Sequence, residues 1–419
     1  MRRKLLGGTF MVAAAAAGWL LLAGQAEAAG DTIKVGVLAT FEGPFAILGE
    51  DSLRGATMAF KEHGNMAGGK KLEIVTGSSD ATPEAAIKAA RKLVEQDKVD
   101  ILIGPLSGDE GLAMRDYAKT QPQVTFINGT SAAEQTTLVD PAPNFFRFTT
   151  DGVQWMAGLG THAYQTKGYK KVITIGEDYS YPYTQVKGFM IEFCKAGGHV
   201  VDKFWVPLGT KDYSSIVAKI PDDIDAIYVA LGGADAINFL TQYEQAGGSK
   251  PLIGGSITVD QSVLGAKGKR RDYLIGTASA GPLADNWDDP KWKAFVEAYK
   301  KSDAKAFPSP TLFSHGYYIE ATAMMQALDT VKGDLSDGQK KFREALSTQT
   351  VDTPTGPVHL DHNRNAIGNE FLTEIAAGAD GKLYNKVVKV IPQVNQTLGV
   401  PEDEYKKTGE PSREAPACP

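Results

Sequence analysis

Apolar and polar residues follow two patterns that alternate along the chain: short β-branched runs, and longer segments with helical spacing. The pattern predicts strands at 32–39, 70–79, 99–105 and 123–129, with helices at 51–64, 82–97 and 110–121. Thr82, followed by Pro83 and Glu84, is a typical helix start. Strands that alternate with helices in this way indicate an α/β fold, with parallel sheets covered by helices.

The same alternation restarts after residue 152 and runs through most of the remaining chain. It predicts strands at 170–175, 199–207, 225–231, 251–255 and 273–281, and helices at 153–167, 184–197, 212–220, 234–246, 290–303 and 311–330. Residues 356–391 are typical of hairpin strands. The last segment, 396–419, is polar and contains prolines, so it is predicted to be a disordered tail.

The first 28 residues have the features of a cleaved signal peptide. Arg2, Arg3 and Lys4 precede the apolar run MVAAAAAGWLLLAG, and the sequence AEA at 26–28 is a small-x-small cleavage site. The apolar run is short for a membrane span of about 20 residues. We therefore predict export to the periplasm with cleavage near Ala28, by the general or the twin-arginine route.

Composition narrows the class of protein further. The chain of 419 residues carries a net charge of −6, with both signs spread along it, so no basic cluster for nucleic acid is present. The mature length suits two domains. A chain of this size can build a core without covalent cross-links, so Cys194 and Cys418 are interpreted as free thiols rather than as a disulfide.

The sequence offers little for catalysis. It contains no G-x-S-x-G, G-x-x-x-x-G-K-[ST] or H-E-x-x-H motif. The cluster of His359, Asp361 and His362 in HLDHNRN lies among turn residues and is interpreted as a solvated turn rather than a metal site. The stretch DHNRNAIGNE lacks the glycine and glutamate that a calcium loop requires. We predict a protein that is not an enzyme and uses no cofactor or metal.

Several motifs in order resemble one family. IKVGVLATFEGPFAILGEDSLRGATMAF, DILIGPLSG, FINGTSAAEQTT, NFFRFTTD and GPVHLD resemble segments of type I periplasmic solute-binding proteins, the leucine/isoleucine/valine-binding family. The resemblance implies two doubly wound lobes with parallel-rich sheets, joined by a three-crossing hinge. The crossings would fall near 147–151, 275–280 and 355–359. The first lobe would take 29–148 and 279–356, and the second 149–278 and 357–395.

The resemblance also implies a role and partners. Members of the family capture a small molecule in the cleft between the lobes and deliver it to membrane-embedded ABC permease subunits. We expect the same role here, carried out by a monomer. The same fold also serves as the ligand-binding part of sensory systems, so a partnership with a membrane receptor remains an alternative.

Candidate ligand-binding residues follow from the fold and from the resemblance. Ligands of open α/β sheets bind beyond the carboxyl ends of strands, where helix N-termini attract carboxylates. In the first lobe the resemblance points to two turns and the end of one strand: Ser107, Gly108 and Asp109, and Asn128, Thr130, Ser131 and Ala132. Each hydroxyl could equally cap a helix. Facing them we expect Tyr181 and then Tyr179 as pocket wall, with Leu48, Gly232 and Ser256.

Departures from the family pattern bear on the ligand. Branched-chain amino acid binders have an acidic residue for the ligand's ammonium where this chain has Ser256, and an aromatic residue where it has Gly232 and Gly233. The positions of Ala81 and Ser107, joined by a disulfide in some members, lack cysteine here. A buried ammonium without a carboxylate partner is costly.

We therefore predict that the ligand is a small organic carboxylate, aromatic or otherwise hydrophobic. The two glycines would leave room for a flat ring. Three nearby acids, Asp178, Asp235 and Asp260, could replace the missing ammonium partner. A branched-chain or other amino acid therefore remains the alternative ligand.

Overall fold

The structure is a computed structural model that describes residues 32–266 and 271–418. The predicted signal peptide lies outside the described residues. Within them the chain forms two α/β lobes, each built on one sheet. In these described ranges, no helix has the length and apolar character that a membrane crossing requires.

The first lobe is built on a six-stranded sheet in the order β2-β3-β1-β4-β5-β6. All neighbouring strands are parallel except β2 and β3. Thr82 accepts a hydrogen bond from the Ala85 N–H and caps α2, as predicted. The strands are β1 (Thr32–Thr40), β2 (Met66–Ala67), β3 (Lys70–Ser79), β4 (Ile101–Ile103), β5 (Thr125–Ile127) and β6 (Phe145–Phe146), and the linking helices are α1 (Ala46–Glu62), α2 (Pro83–Arg91), α3 (Gly108–Lys119) and α4 (Gln135–Leu138).

The second lobe is built on a nine-stranded sheet in the order β12-β13-β14-β11-β10-β9-β7-β8, with β15 on β14, and the β12-β13 end of this sheet extends into the first lobe. Its central strands are parallel, whereas β14 runs antiparallel to β11, β13 and β15. The strands are β7 (Lys171–Glu177), β8 (His199–Val206), β9 (Ala226–Ala230), β10 (Leu252–Gly254), β11 (Ala278–Gly281), β12 (Thr350–Thr353), β13 (Gly356–Leu360), β14 (Ala366–Ala377) and β15 (Leu383–Val394), and the helices are α5 (Leu159–Gln165), α6 (Ser180–Lys195), α7 (Ser214–Val217), α8 (Gly233–Gln245) and α9 (Gln261–Leu264).

After β11 the chain returns to the first lobe through α10 (Pro290–Ser302), α11 (Leu312–Thr330) and α12 (Lys340–Thr348). Helix α11 packs closely on α1, because a Cβ added to Gly55 would lie 1.9 Å from the Ser314 carbonyl oxygen. Val351 of β12 and Val358 and Leu360 of β13 are buried in the first-lobe core. The last two belong to the segment that the prediction assigns to the second lobe, so the third passage between lobes leads from β13 into β14.

The first crossing contains a buried charge pair. Arg147 is fully buried, and one of its nitrogens lies 3.4 Å from Asp151 Oδ2. The guanidinium donates further hydrogen bonds of 2.7 Å to Asn365 Oδ1, to the Ala133 carbonyl and to Thr137 Oγ1. These acceptors come from the turn before β14 and from the segment around α4, so one side chain ties the crossing to both. We call Arg147, Asp151 and their partners the crossing hub.

Asp151 completes the hub by accepting hydrogen bonds from three donors besides Arg147. The main-chain N–H groups of Val153 and Gln154 donate to Oδ1, each at 3.0 Å. Gln396 Nε2 donates to Oδ2 at 2.8 Å. Since Gln396 begins the C-terminal segment, the hub also fixes where that segment leaves the second sheet.

The C-terminal segment 396–418, which we call the strap, is packed against the protein. Tyr405 at the end of α13 (Glu402–Tyr405) is 1% exposed. Cys418 forms a disulfide with Cys194 of α6, with a Cα–Cα distance of 5.4 Å. The predictions of a disordered tail and of two free thiols were both wrong over the described residues. The strap lacks a core of its own, and contacts with distant parts of the chain hold it in place.

We predict that Arg147→Met destabilises the protein by about 3–5 kcal/mol, the range for removing one partner of a buried ion pair. The substitution fills the space but leaves Asp151 buried without its cation. Urea unfolding followed by circular dichroism would measure the loss. Arg91→Met, at an exposed position of α2, is the matched control and should change stability little. Equal stability of both variants would contradict a central role for the hub.

Candidate functional site

The carboxyl ends of the parallel strands in the two sheets face each other where the lobes meet. One hydrophobic cluster contains side chains from both lobes at this point, with Leu48, Leu106 and Ala132 from the first and Tyr179 and Tyr181 from the second. The fold therefore brings together most of the residues that the sequence singled out. It does so in a closed arrangement, because the two lobes are in direct contact there.

Hydrogen bonds from main-chain N–H groups join the lobes across this contact. The Ser180 N–H donates to Asp109 Oδ1 at 3.0 Å, and the Leu312 N–H donates to Asp260 Oδ2 at 3.2 Å. Gly108 permits the first contact, since an added Cβ would lie 2.5 Å from Ser180 Oγ and 2.9 Å from the main-chain nitrogen of Tyr181. Gly108 and Asp109 thus meet the tyrosine-bearing turn directly.

Ser107 has a structural role in this arrangement. It forms a capping box with Glu110 at the start of α3, and its hydroxyl also donates to the Ala81 carbonyl at 2.9 Å. Ser107 and Ala81 are therefore held together by a hydrogen bond. Burial raises the pKa of Glu110 to about 7. The side chain of Ser107 is satisfied within the protein, in line with helix capping.

The turn after β5 carries free hydroxyls instead. Among the described residues, Thr130 Oγ1 and Ser131 Oγ have no hydrogen-bond partner, although both residues are buried. Asn128 holds this turn to the first crossing by donating to the Ser131 carbonyl at 3.1 Å and to Thr149 Oγ1 at 3.0 Å. A buried hydroxyl without a partner costs about 1–3 kcal/mol. These two hydroxyls are therefore suited to accept a partner from outside the protein.

Thr130 and Ser131 differ in what they face. Thr130 lines a small cavity of about 20 Å³, whose wall also includes Trp155 and Leu312. The Ser131 hydroxyl packs on Gly111 of α3, where an added Cβ would lie 1.7 Å from it. Thr130 is therefore the better placed of the two to meet a ligand between the lobes.

Four aromatic rings lie next to one another in the hydrophobic cluster between the lobes. Ring centroids lie 6.4 Å apart for Phe45 and Tyr179, 6.1 Å for Tyr179 and Tyr181, and 5.8 Å for Tyr181 and Trp155. Sequence reasoning missed Phe45 and Trp155. The available signals were the position of Phe45 in the GPFAIL turn and that of Trp155 just after the first crossing.

The third tyrosine of the turn points away from the contact between lobes. The Tyr183 hydroxyl donates to Asp178, and its ring packs edge-on against Trp205 with centroids 4.7 Å apart. Tyr179 precedes the first residue of α6, and Tyr181 lies within its first turn. The spacing therefore places two rings inward and one outward.

Ser256 lies in a network of neutral groups. Its Oγ accepts a hydrogen bond from Gln185 Nε2 at 2.7 Å and shares one with the Tyr181 hydroxyl at 3.1 Å. The Tyr228 hydroxyl donates to Gln185 Oε1 at 3.4 Å. A second cavity of about 20 Å³ adjoins Ser256, and Leu312 borders both this cavity and the one at Thr130.

The three acids that could replace the missing ammonium partner are engaged elsewhere. Asp178 bonds to Tyr183 and to Arg413 of the strap. Asp235 accepts from the Gly209 N–H at 2.7 Å, and burial raises its pKa to about 6. Asp260 lines the cavity beside Ser256, and burial raises its pKa to about 7, but its oxygens accept main-chain N–H groups.

The space beside Gly232 and Gly233 is filled in this arrangement. A Cβ on Gly232 would lie 2.3 Å from Ile257 and 3.4 Å from the Phe45 ring. A Cβ on Gly233 would lie 2.7 Å from the Pro44 carbonyl oxygen. The glycines therefore allow the first lobe to approach, rather than leaving a visible gap for a ring.

The HLDHNRN segment forms a turn in which Asp361 accepts main-chain N–H groups of Asn363 at 2.8 Å and Asn365 at 2.9 Å. His362 lies 3.1 Å from Glu402 of the strap. Over residues 32–266 and 271–418, no group of three or more histidine, cysteine or acidic side chains could hold a metal ion.

We predict that Gly108→Ala disfavours the closed arrangement while preserving the fold of the first lobe. Alanine suits the first turn of a helix, but its Cβ would clash with Ser180 and Tyr181 of the other lobe. Small-angle scattering should show a larger radius of gyration, with an unchanged circular dichroism spectrum. Adding Ser180→Ala removes the nearest clashing atom and should partly restore the compact form. A radius identical to that of the unaltered protein would refute this role of Gly108.

Comparison with known proteins places these features in context. Residues 32–381 match the family model described as "Periplasmic binding protein". The "Leu/Ile/Val-binding protein homolog 6" of Brucella melitensis is 29% identical over 377 residues, which cover 86% of this chain and 91% of the relative.

Two similar solved structures are solute-binding proteins of ABC transporters from Rhodopseudomonas palustris. One, in complex with 3,4-dihydroxybenzoic acid, has a TM-score of 0.80 and 26% identity, and the match covers 88% of this chain and 99% of the other. The second, in complex with benzoate, has a TM-score of 0.79 and 25% identity, with the same coverage.

Proposed function

This chain belongs to the periplasmic binding protein family, in the type I class that serves ABC importers, and we propose that its ligand is a small aromatic carboxylate. The protein captures this acid between its lobes in the periplasm and delivers it to membrane-embedded permease subunits. It acts as a monomer. The ligand enters when the lobes separate, because Thr130 is 3% exposed in the closed arrangement.

The observation that carries the proposal is the neutral network around Ser256. Gln185 and Tyr181 satisfy its hydroxyl, and no carboxylate takes part in these bonds. An aromatic acid presents no cation that would need a charged partner, whereas an amino acid does. The rings of Tyr179 and Tyr181 supply surfaces on which a flat ligand packs, and aromatic pairs contribute about 0.5–1.5 kcal/mol beyond burial.

The carboxylate of the ligand is assigned to the turn after β5. The Thr130 hydroxyl borders a cavity between the lobes and can donate to an anion. Relatives of similar fold that hold benzoate and 3,4-dihydroxybenzoic acid support a ligand of this class.

Amino acid binding is the second candidate. Relatives named for leucine, isoleucine and valine favour it, as does the position of Asp260 beside Ser256. In that case Asp260 would have to turn from the main-chain N–H groups of Ser262 and Leu312 towards the ligand's ammonium. A receptor partner in place of the permease is the third reading, which a pull-down from membrane extract would distinguish.

We predict that calorimetric titration detects binding of benzoate or 3,4-dihydroxybenzoate, and weaker or no binding of leucine, isoleucine and valine. Both sets should be titrated at equal concentrations, at a pH where the acids are ionised. Submicromolar binding of a branched-chain amino acid, with no heat from any aromatic acid, would overturn the proposed ligand class.

We predict that Thr130→Val weakens binding of the best aromatic acid by roughly 1.5–3 kcal/mol, the contribution of a hydrogen bond to a charged group. Valine keeps the shape of threonine and removes a buried hydroxyl that has no partner, so the melting temperature of the ligand-free protein should not fall. Thr174→Val is the matched control, since Thr174 is buried within β7 and its hydroxyl also lacks a partner among the described residues. If both variants lost the same binding free energy, Thr130 would not be part of the ligand-binding site.

A further inference from the structure

The strap runs from the crossing hub across both lobes to α6. It leaves the hub at Gln396, which also donates to the Glu134 carbonyl at 3.1 Å and to Thr137 Oγ1 at 3.0 Å. It ends at the disulfide between Cys418 and Cys194 of α6. One end is therefore fixed at the crossing and the other is bonded covalently to the second lobe.

The middle of the strap holds the first lobe. The Tyr405 hydroxyl donates to Glu134 Oε2 at 2.6 Å, and Lys187 of α6 donates to Glu134 Oε1 at 2.6 Å. Lys187 also lies 4.5 Å from the centroid of the Tyr405 ring and donates to the Gly409 carbonyl at 2.8 Å. Next along the first lobe, Gln135 Nε2 donates to the Pro411 carbonyl at 3.4 Å.

The Glu134 side chain therefore accepts hydrogen bonds from the second lobe and from the strap. The side chains of Glu134 and Lys187 are 2% and 1% exposed. A buried carboxylate that loses its cation is left with a large desolvation cost. Any rotation that separates α4 from α6 has to break this group of contacts.

The far part of the strap lies against the outer side of the tyrosine turn. Arg413 forms a bidentate ion pair with Asp178, the residue before Tyr179. Asp178 also accepts a hydrogen bond from the Tyr183 hydroxyl. Trp205 Nε1 donates to the Arg413 carbonyl at 3.2 Å, and Lys203 Nζ donates to the Pro416 carbonyl at 3.0 Å. A two-pronged pair fixes orientation as well as distance.

We propose that the disulfide-closed strap is part of the ligand-binding apparatus: Arg413 positions the tyrosine turn, and Tyr405 holds the first lobe in the closed arrangement. Because Cys194 ties the strap to the second lobe, the strap cannot follow the first lobe when the cleft opens. Its contacts with the Glu134 side chain and with Gln135 then break, so the strap favours closure and slows ligand release. The effect on release rests on the proposed function, whereas the effect on lobe closure does not.

The first test needs no ligand. Small-angle scattering should compare the oxidised protein with the Cys194→Ser/Cys418→Ser double variant and with Arg413→Ala, which keeps the disulfide. We expect a larger radius of gyration for the double variant and for the unaltered protein after reduction. Lys407→Ala, at an exposed strap residue, is the control and should scatter like the unaltered protein. Circular dichroism confirms that each variant is folded.

The second test uses 3,4-dihydroxybenzoate as the probe in stopped-flow measurements. Arg413→Ala should release it about two- to fivefold faster, the range for one exposed ion pair, with association little changed. Reduction or the double serine variant should accelerate release at least as much. If Arg413 only supported folding, Arg413→Ala would lower the melting temperature and would not raise the release rate while leaving the association rate unchanged.

Two outcomes have distinct meanings. If scattering and release rates are the same with and without the disulfide and Arg413, the strap has no part in binding and the inference fails. If the oxidised protein binds no aromatic acid, the proposed ligand class fails, and the ligand-free scattering comparison still decides whether the strap favours closure.

Discussion

A single buried guanidinium fixes how the lobes are joined. Arg147 lies where water cannot reach it, so each of its donors needs an acceptor from the protein, and the acceptors come from segments far apart in sequence. Asp151 balances its charge and accepts the first bond of the strap. Because a buried charge tolerates few other arrangements, this requirement sets where the first crossing, the entry to β14 and the strap meet. The hub therefore determines how one lobe is placed relative to the other.

Closure is built from a few directed polar contacts around an aromatic centre. Asp109 and Asp260 each accept a main-chain N–H from the opposite lobe, and Glu134 meets Lys187. Between them lie Phe45, Tyr179, Tyr181 and Trp155, whose tilted and edge-on ring contacts bury apolar area without charged partners. Directed bonds at the edges fix the angle between the lobes, and the rings fill the space between those bonds.

Local pattern predicted most elements of the fold but not the contacts that depend on distant partners. β3 has the predicted bounds 70–79, and Thr82 caps α2. The predicted helix 153–167 is interrupted, because Gly158 has a φ of 82° and starts α5 anew. The strap escaped prediction since its order comes from partners such as Cys194, 224 residues before Cys418. In the candidate site, the turns were predicted from strand ends, but the packing of Phe45 and Trp155 and the capping by Ser107 depend on three-dimensional neighbours.

The order of strands in the second sheet has a consequence for the time course of folding. One neighbour of β11 is β14, and Ala278 pairs with Glu374. Between these two strands the chain passes through α10, α11 and α12 of the other lobe, so the pair can form only after those helices have been made. Neither lobe can therefore assemble from a continuous stretch of newly made chain. Contacts this far apart in sequence are slow to form, because closing long loops is entropically costly. The second sheet is therefore complete only after β14 has been made and has paired with β11.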